Sequence, residues 1–138
     1  MFRGLVPLAV ALAVLMAPAA LADPSDFQYV RTETGAVRCV ISAAHVGCER
    51  SGGEGFPGAP KSQSSSGNWN IAGVDASGPF NWGEGNIGDV ESNEVTLTYG
   101  QTYNFKGWTV LPSFDGTRFT NDASGRGMFV SIDRVEPF

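Results

Sequence analysis

The fold of this chain is decided by one stretch, Gly35-Ala-Val-Arg-Cys39-Val-Ile-Ser-Ala-Ala-His45-Val-Gly-Cys48-Glu-Arg50, which holds both cysteines and the only histidine. It contains two short runs rich in β-branched and apolar residues, a composition typical of strands. If the chain folds back at Ala43-Ala44, the two runs pair residue against residue. The pairs are then Ser42 with His45, Ile41 with Val46, Val40 with Gly47, and Cys39 with Cys48.

The register of this hairpin predicts a disulfide between Cys39 and Cys48. With a two-residue loop, Ser42 and His45 form a hydrogen-bonded pair, so the alternation of an antiparallel ladder makes the cysteines a non-hydrogen-bonded pair. There the Cα atoms approach to about 4.5 Å, which a disulfide can span. Ala-Ala lacks the Asn-Gly chemistry of a tight hairpin, so a four-residue loop with the same pairing stays open. Two free buried thiols are the alternative to the crosslink.

The N-terminus has the pattern of a secretory signal peptide. Arg3 is followed by an apolar run over residues 5–16, and Ala20-Leu21-Ala22 fits a cleavage site before Asp23. The run spans about twelve residues, whereas a bilayer crossing needs about twenty. We therefore expect residues 1–22 to be removed on export, with a retained N-terminal anchor as the alternative. Export into an oxidising compartment favours the disulfide.

The remaining chain, residues 23–138, is short enough for a single domain. Of the 9 basic side chains Arg3 leaves with the signal, so the 14 acidic ones outnumber the rest and the balance is clearly negative. An acidic chain without a basic cluster argues against nucleic acid as a partner. No second apolar run follows, so we expect no stable membrane insertion after cleavage.

Frequent glycine and the absence of a helical apolar period predict an all-β fold. Of the 18 glycines all but Gly4 follow the signal, scattered without a period, which indicates many turns between short strands. The clearest strand pattern is 94–99, where Val95, Leu97 and Tyr99 share one face. Asp115-Gly116 is the best hairpin signal, within a meander of short antiparallel strands over the last forty residues. The prediction is a small antiparallel β-sandwich or an open barrel.

Two Gly-rich stretches, 51–67 and 78–93, are predicted as loops. The first contains Gly55-Phe-Pro-Gly-Ala-Pro60 and is either a disordered surface loop or a loop that Phe56 pins against the core; we expect it to be partly pinned by Phe56. Because loops on a rigid β scaffold commonly carry recognition, these two loops are the predicted contact surface. The candidate ligand contacts in them are Phe56, Trp82, Glu84 and Asp89.

Known catalytic and metal chemistries find little support in the sequence. Any triad must use His45, which we interpret as an exposed residue beside a turn. With one histidine and two oxidised cysteines we expect no zinc, no catalytic residue and no cofactor. The acidic segment 84–94 is either a solvated loop or a weak Ca²⁺ site. Residues 83–88 match G-x-G-x-x-G, but no βαβ unit accompanies them, so the match is ascribed to chance.

Several segments together resemble a group of small secreted actinobacterial, chiefly mycobacterial, proteins of uncharacterised function. These segments are 31–39 and 47–50 around the cysteines, 55–60, and 116–122 with 127–131. The resemblance covers most of residues 23–138 and brings no catalytic residues with it. It implies an exported or envelope-associated protein.

Two functions are consistent with these features, and a structural envelope component with no soluble ligand is a third option. The first is a secreted binding or interaction module of the cell envelope, with an unknown envelope or extracellular partner. The alternative is a secreted hydrolase that cleaves wall polymers through carboxylates, such as Glu84 or Asp89. The absence of any catalytic motif favours the binding module.

Overall fold

Eleven short strands form two β-sheets in the computed structural model, which describes residues 26–88 and 93–138. The first sheet has the order β5-β4-β3-β2-β1-β6, and the second has the order β11-β10-β9-β8-β7. The first consists of β1 (Gln28–Arg31), β2 (Val37–Ile41), β3 (His45–Arg50), β4 (Ile71–Asp75), β5 (Phe80–Gly83) and β6 (Val95–Thr96). The second consists of β7 (Tyr103–Phe105), β8 (Trp108–Ser113), β9 (Gly116–Asn121), β10 (Gly127–Val130) and β11 (Val135–Pro137).

These strands confirm the predicted all-β class and identify the architecture as two sheets, not a closed barrel. All neighbouring strands are antiparallel except β1 and β6, which run parallel. The second sheet is a simple meander, as predicted for the end of the chain. No helix in the described residues is long and apolar enough to cross a membrane. The predicted signal peptide, residues 1–22, lies outside the described residues.

The cysteine hairpin has the predicted register and crosslink. Cys39 of β2 stands opposite Cys48 of β3, and a disulfide joins them with their Cα atoms 4.0 Å apart. The N–H of Ser42 donates to the carbonyl of His45 at 2.8 Å, and the reverse bond measures 3.4 Å. The loop therefore has two residues, and the cysteines form the non-hydrogen-bonded pair that the alternation requires.

The Ala43-Ala44 turn is held by neighbouring groups in place of favourable turn residues. Lys106 is the only non-glycine residue of the described chain with a left-handed φ, so neither alanine adopts the conformation of a mirror-image turn. The Ala44 carbonyl accepts the N–H of Ala76 at 2.8 Å, from the turn between β4 and β5. Trp108 donates its indole N–H to the Ser42 carbonyl at 2.9 Å. Contacts with distant segments thus compensate for weak local turn chemistry.

The two sheets face each other across one apolar core. Alternate positions of β2 and β3 point into it, so the disulfide is buried with Cys39 only 3% and Cys48 0% exposed. Trp108, Phe119 and Met128 close the core from the second sheet, all 0% exposed. The other core residues are Val30, Val37, Ile41, Val46, Phe56, Ala72, Val74, Leu97, Val110 and Val130.

The strand predicted over 94–99 is wrong in length, because only Val95–Thr96 joins a sheet. The backbone pairs with β1 over those two residues, and the N–H of Leu97 adds a bond to the Arg31 carbonyl at 2.8 Å. Leu97 then enters the core, and the chain turns at Gly100, whose φ is 82°. Apolar residues alternate over 94–99 because the chain crosses here from one sheet to the other. Its side chains still point alternately inward and outward, although the hydrogen-bonded ladder stops after Thr96.

The segment 78–93 was predicted to be a loop, which is wrong for residues 80–83, because they form strand β5. Strand β11 was not predicted either. In β5, Phe80 pairs with Val74 and Trp82 pairs with Ala72, so both aromatic side chains lie on the core side. Trp82 consequently lies in a strand and not in a loop. Only two apolar residues among glycines and polar neighbours mark β5, which is too short a pattern to separate from a turn.

The loop 51–67 is pinned by Phe56, as expected. The phenyl ring is fully buried and packs on Trp82 with ring centroids 5.9 Å apart. The backbone N–H of Phe56 donates to the Trp69 carbonyl at 3.0 Å, and the Asn68 amide donates to the Phe56 carbonyl at 2.8 Å. Gly55 has a φ of 71°, and a Cβ there would lie 2.0 Å from the Asn68 carbonyl oxygen, so only glycine fits.

Candidate binding clefts

A cleft of about 290 Å³ opens at one end of the sandwich. We call it the aromatic cleft. Residues from three turns and one crossover residue form its walls: segments 32–37, 114–116 and 130–134, together with Tyr99. Because these turns join β1 to β2, β8 to β9 and β10 to β11, both sheets support the cleft.

The most exposed large apolar side chain of the described residues lies in this cleft. Phe114 is 88% exposed and occupies the turn between β8 and β9. Its ring meets that of Tyr99 edge to face, with centroids 6.4 Å apart and an interplanar angle of 84°. Ile132, which is 42% exposed, adds a second apolar group to the lining. Turn positions favour polar residues, so an aromatic residue here serves neither turn formation nor the core.

The predicted hairpin at Asp115-Gly116 is confirmed, with the turn shifted by one residue. Ser113 pairs with Gly116, so Phe114 and Asp115 occupy the turn itself. Gly116 has a φ of 151°, and a Cβ there would lie 2.4 Å from the Phe129 ring. Glycine at 116 therefore permits a tight turn that projects Phe114 into the cleft.

Charged groups of both signs line the aromatic cleft. Neither the Asp115 nor the Asp133 carboxylate has an ion pair or a hydrogen bond within residues 26–88 and 93–138. Arg134 points its Nε at Glu136 Oε1, 3.1 Å away, and lies 4.7 Å over the ring of Phe129. The cleft thus presents two carboxylates that can accept hydrogen bonds and one guanidinium that has further N–H donors available.

The turn that carries Asp133 and Arg134 is fixed by one hydroxyl. Ser131 is 7% exposed, and its Oγ accepts the N–H of Asp133 at 3.2 Å and of Arg134 at 3.1 Å. The same hydroxyl donates to the Arg134 carbonyl at 3.2 Å. The charged wall of the cleft is therefore held by a buried serine.

A second cleft, of about 250 Å³, lies between the two segments predicted as the contact surface. It is lined by Glu84 and by small or polar residues, which are Gly52, Gly53, Gly55, Ser65, Asn68, Asn70 and Gly85. Glu84 accepts hydrogen bonds from the hydroxyls of Ser62 and Ser64. We call this second cleft the glycine cleft.

The four predicted ligand contacts do not share one site. Glu84 lines the glycine cleft, whereas Phe56 is buried in the core. Trp82 packs edge to face on Phe80, with ring centroids 5.0 Å apart, and lines neither cleft. Asp89 lies outside the described residues.

His45 has a carboxylate partner that the sequence analysis missed. Its Nδ1 lies 2.7 Å from Asp75 Oδ1, the residue opposite it in the β3–β4 ladder. An ionised carboxylate only accepts, so Nδ1 donates. Both side chains are almost half exposed, and neither lines the aromatic or the glycine cleft. The register of β3 against β4, which the sequence does not show, was needed to find the pair.

The imidazole lies against a glycine pair in the sheet, which yields a testable difference between Gly73 and Gly47. A Cβ on Gly73 would lie 2.8 Å from the ring, whereas one on Gly47 would stay 3.6 Å away. Gly47→Ala should raise the free energy of unfolding by about 0.5–1 kcal/mol, the usual gain over glycine in a strand. In Gly73→Ala that gain is offset by the lost His45 hydrogen bond, worth about 1 kcal/mol.

Nitrogen NMR of the imidazole distinguishes the two variants directly. We expect the Nδ1-protonated tautomer of His45 in the wild type and in Gly47→Ala, and a mixture in Gly73→Ala. An unchanged tautomer in Gly73→Ala would show that the ring does not depend on the space above Gly73. Urea denaturation supplies the accompanying stabilities.

No metal centre emerges from the described residues. Within 26–88 and 93–138, no three His, Cys, Asp or Glu side chains converge on one point. In the acidic segment, Glu94 pairs with Arg38 at 2.9 Å, while Asp89 and Glu91 lie outside the described residues. The G-x-G-x-x-G match begins at the end of β5, and no helix follows over 84–88, so it is not a dinucleotide-binding turn.

Comparison of the chain with models of protein families, with curated proteins and with solved structures finds no match.

Proposed function

We propose that this chain is an exported binding or interaction module of the cell envelope whose partner contacts the aromatic cleft. The observation that carries the proposal is the 88% exposure of Phe114, which lines that cleft. Export is supported by the signal-like N-terminus and by the disulfide, which persists in oxidising compartments. The resemblance to small secreted actinobacterial proteins supports the envelope as its location.

The position of Phe114 is consistent with a recognition role. Loops and turns held by a rigid β scaffold commonly carry binding residues, and aromatic side chains are enriched among residues that dominate binding energy. Single exposed apolar residues are common and by themselves indicate nothing. Phe114 differs because it stands beside a cavity and is braced by Tyr99. A ligand would recover the apolar area that now faces water.

Sedimentation with the insoluble envelope fraction of the source organism tests this proposal. We expect the wild type to sediment with that fraction, and Phe114→Ala to bind about tenfold more weakly, as for loss of an aromatic anchor. Leu111→Ala is the matched control, since Leu111 is 42% exposed but does not line the cleft. Equal retention of all three proteins, or no retention of the wild type, would count against the proposal.

A hydrolase of wall polymers is the second candidate, favoured by one observation. Asp115 and Asp133 both line the aromatic cleft, and paired carboxylates across a cleft are what glycoside cleavage requires. Glu84, named from the sequence, is instead engaged by two serine hydroxyls. This activity predicts soluble fragments with new reducing ends, lost in Asp115→Asn or Asp133→Asn and retained in Glu54→Gln. Binding to envelope material without release of soluble fragments would support the binding module and not the hydrolase.

A further inference from the structure

Resting on the proposed function, we infer that the aromatic cleft binds a neutral sugar residue of a polysaccharide or oligosaccharide. One face of the sugar ring packs on the exposed aromatic side chain, and its hydroxyls bond to the charged groups of the rim. Three features of the cleft lead to this ligand class: an apolar plate, a lining with donors and acceptors of both charges, and its size.

The apolar plate is the ring of Phe114. A phenyl ring has no hydrogen-bonding atom, so it favours an apolar surface such as the C–H groups on one face of a sugar. Tyr99 meets it at 84°, which supports the ring from one side only. With 88% of the residue exposed, a flat partner can approach. Aromatic packing with a few placed polar groups is the usual composition of a small-molecule site.

The charged rim fits a neutral polyol better than an ion. Every sugar hydroxyl both donates and accepts, and the cleft offers acceptors on Asp115 and Asp133 and donors on Arg134. A cationic ligand would meet Arg134, and also Arg31, whose guanidinium lies beside Gly35 in the neighbouring turn. An anionic ligand would meet the two carboxylates. Hydrogen bonds to charged partners are stronger than neutral ones, and they place no charge on the ligand.

The size of the cleft matches a single sugar ring. Its volume is about 290 Å³, which suits one ring-sized group. Small-molecule sites begin at about this volume. Phe114 lines the cleft and is 88% exposed, so neighbouring sugars of a chain can extend past it into solvent.

Saturation-transfer NMR with defined oligosaccharides tests the inference. The probes are neutral trisaccharides of glucose, N-acetylglucosamine, mannose, galactose and arabinose, with tri-lysine as the cationic comparison. We expect at least one sugar to bind with a dissociation constant of about 1 mM or tighter. Binding should weaken about tenfold in Phe114→Ala, weaken in Asp133→Ala, and stay unchanged in Leu111→Ala. It should also be equal at roughly 0.05 and 0.5 M salt, because a neutral ligand is not screened.

The outcomes separate this inference from the proposal on which it rests. If no sugar binds while the protein still sediments with envelope material through Phe114, the sugar assignment is wrong and the binding module stands. If tri-lysine alone binds, and salt abolishes it, the cleft is a cation site. If neither sugars nor envelope material bind, both fall. A sugar whose binding ignores Phe114→Ala would place the site elsewhere, against the inference.

Discussion

Replacing Phe56 by alanine is expected to lower the free energy of unfolding by about 3–5 kcal/mol, the range for phenylalanine removed from a core. Phe56 is 0% exposed and packs on Trp82, at the point where loop 51–67 meets the sandwich. The loss combines the apolar area returned to water with the cavity left between loop and core. Since a domain of this size is stable by about 5–15 kcal/mol in total, the variant should be close to unfolding at elevated temperature.

Phe114→Ala is the matched control for that experiment. The chemical change is identical, but Phe114 is 88% exposed, so we expect its effect to stay within about 0.5 kcal/mol. Urea denaturation of both variants, read by tryptophan fluorescence, gives the two values. A small loss in Phe56→Ala would contradict the burial of Phe56, and a large loss in Phe114→Ala would contradict the exposure of Phe114. A stable Phe114→Ala variant also validates its use in the binding experiments.

Removing the disulfide with Cys39→Ala and Cys48→Ala together should lower the free energy of unfolding by up to about 2.5–3 kcal/mol. That figure is the chain-entropy estimate for a closed loop of about ten residues. It is an upper value, because the hairpin register already keeps β2 and β3 together in partly folded chains. Reductant should shift the urea midpoint of the wild type and leave that of the double variant unchanged.

Intact mass after thiol alkylation completes the disulfide test. Both sulfurs are almost fully buried, so the folded wild type should take up no alkylating reagent, with or without mild reductant. After denaturation with reductant it should take up two. Two labels after denaturation without reductant would mean that the cysteines are free, and the crosslinked hairpin would be disproved.

The hairpin could be predicted because its information is local. The strand residues on either side of Ala43-Ala44 are close together in the sequence. Folding the chain back at this turn gives one register, and it places Cys39 opposite Cys48. The meander of β7 to β10 was accessible for the same reason, since each strand pairs with its neighbour in sequence. Strand 94–99 was overestimated, because the same alternation occurs where the chain crosses between sheets.

The clefts could not be predicted, because their walls come from distant segments. The aromatic cleft joins turns near residues 34, 115 and 132, and no local pattern shows that these turns meet. Phe114 precedes a recognisable Asp-Gly turn, and its aromatic character at that position was the available signal. The predicted loops 51–67 and 78–93 do meet, at the glycine cleft. However, Phe56 is part of the core and Trp82 lies in strand β5, so neither lines that cleft.

The central claim is that ligands bind at the aromatic cleft, and amide chemical-shift mapping tests it most directly. Nitrogen-labelled protein is titrated with soluble fragments of envelope polymers from the source organism. We expect concentration-dependent shifts centred on Tyr99, Phe114 and Asp133, and no such shifts in Phe114→Ala. Shifts centred on Ser65, Glu84 and Gly85 would instead assign binding to the glycine cleft and contradict the account, as would a spectrum that does not change.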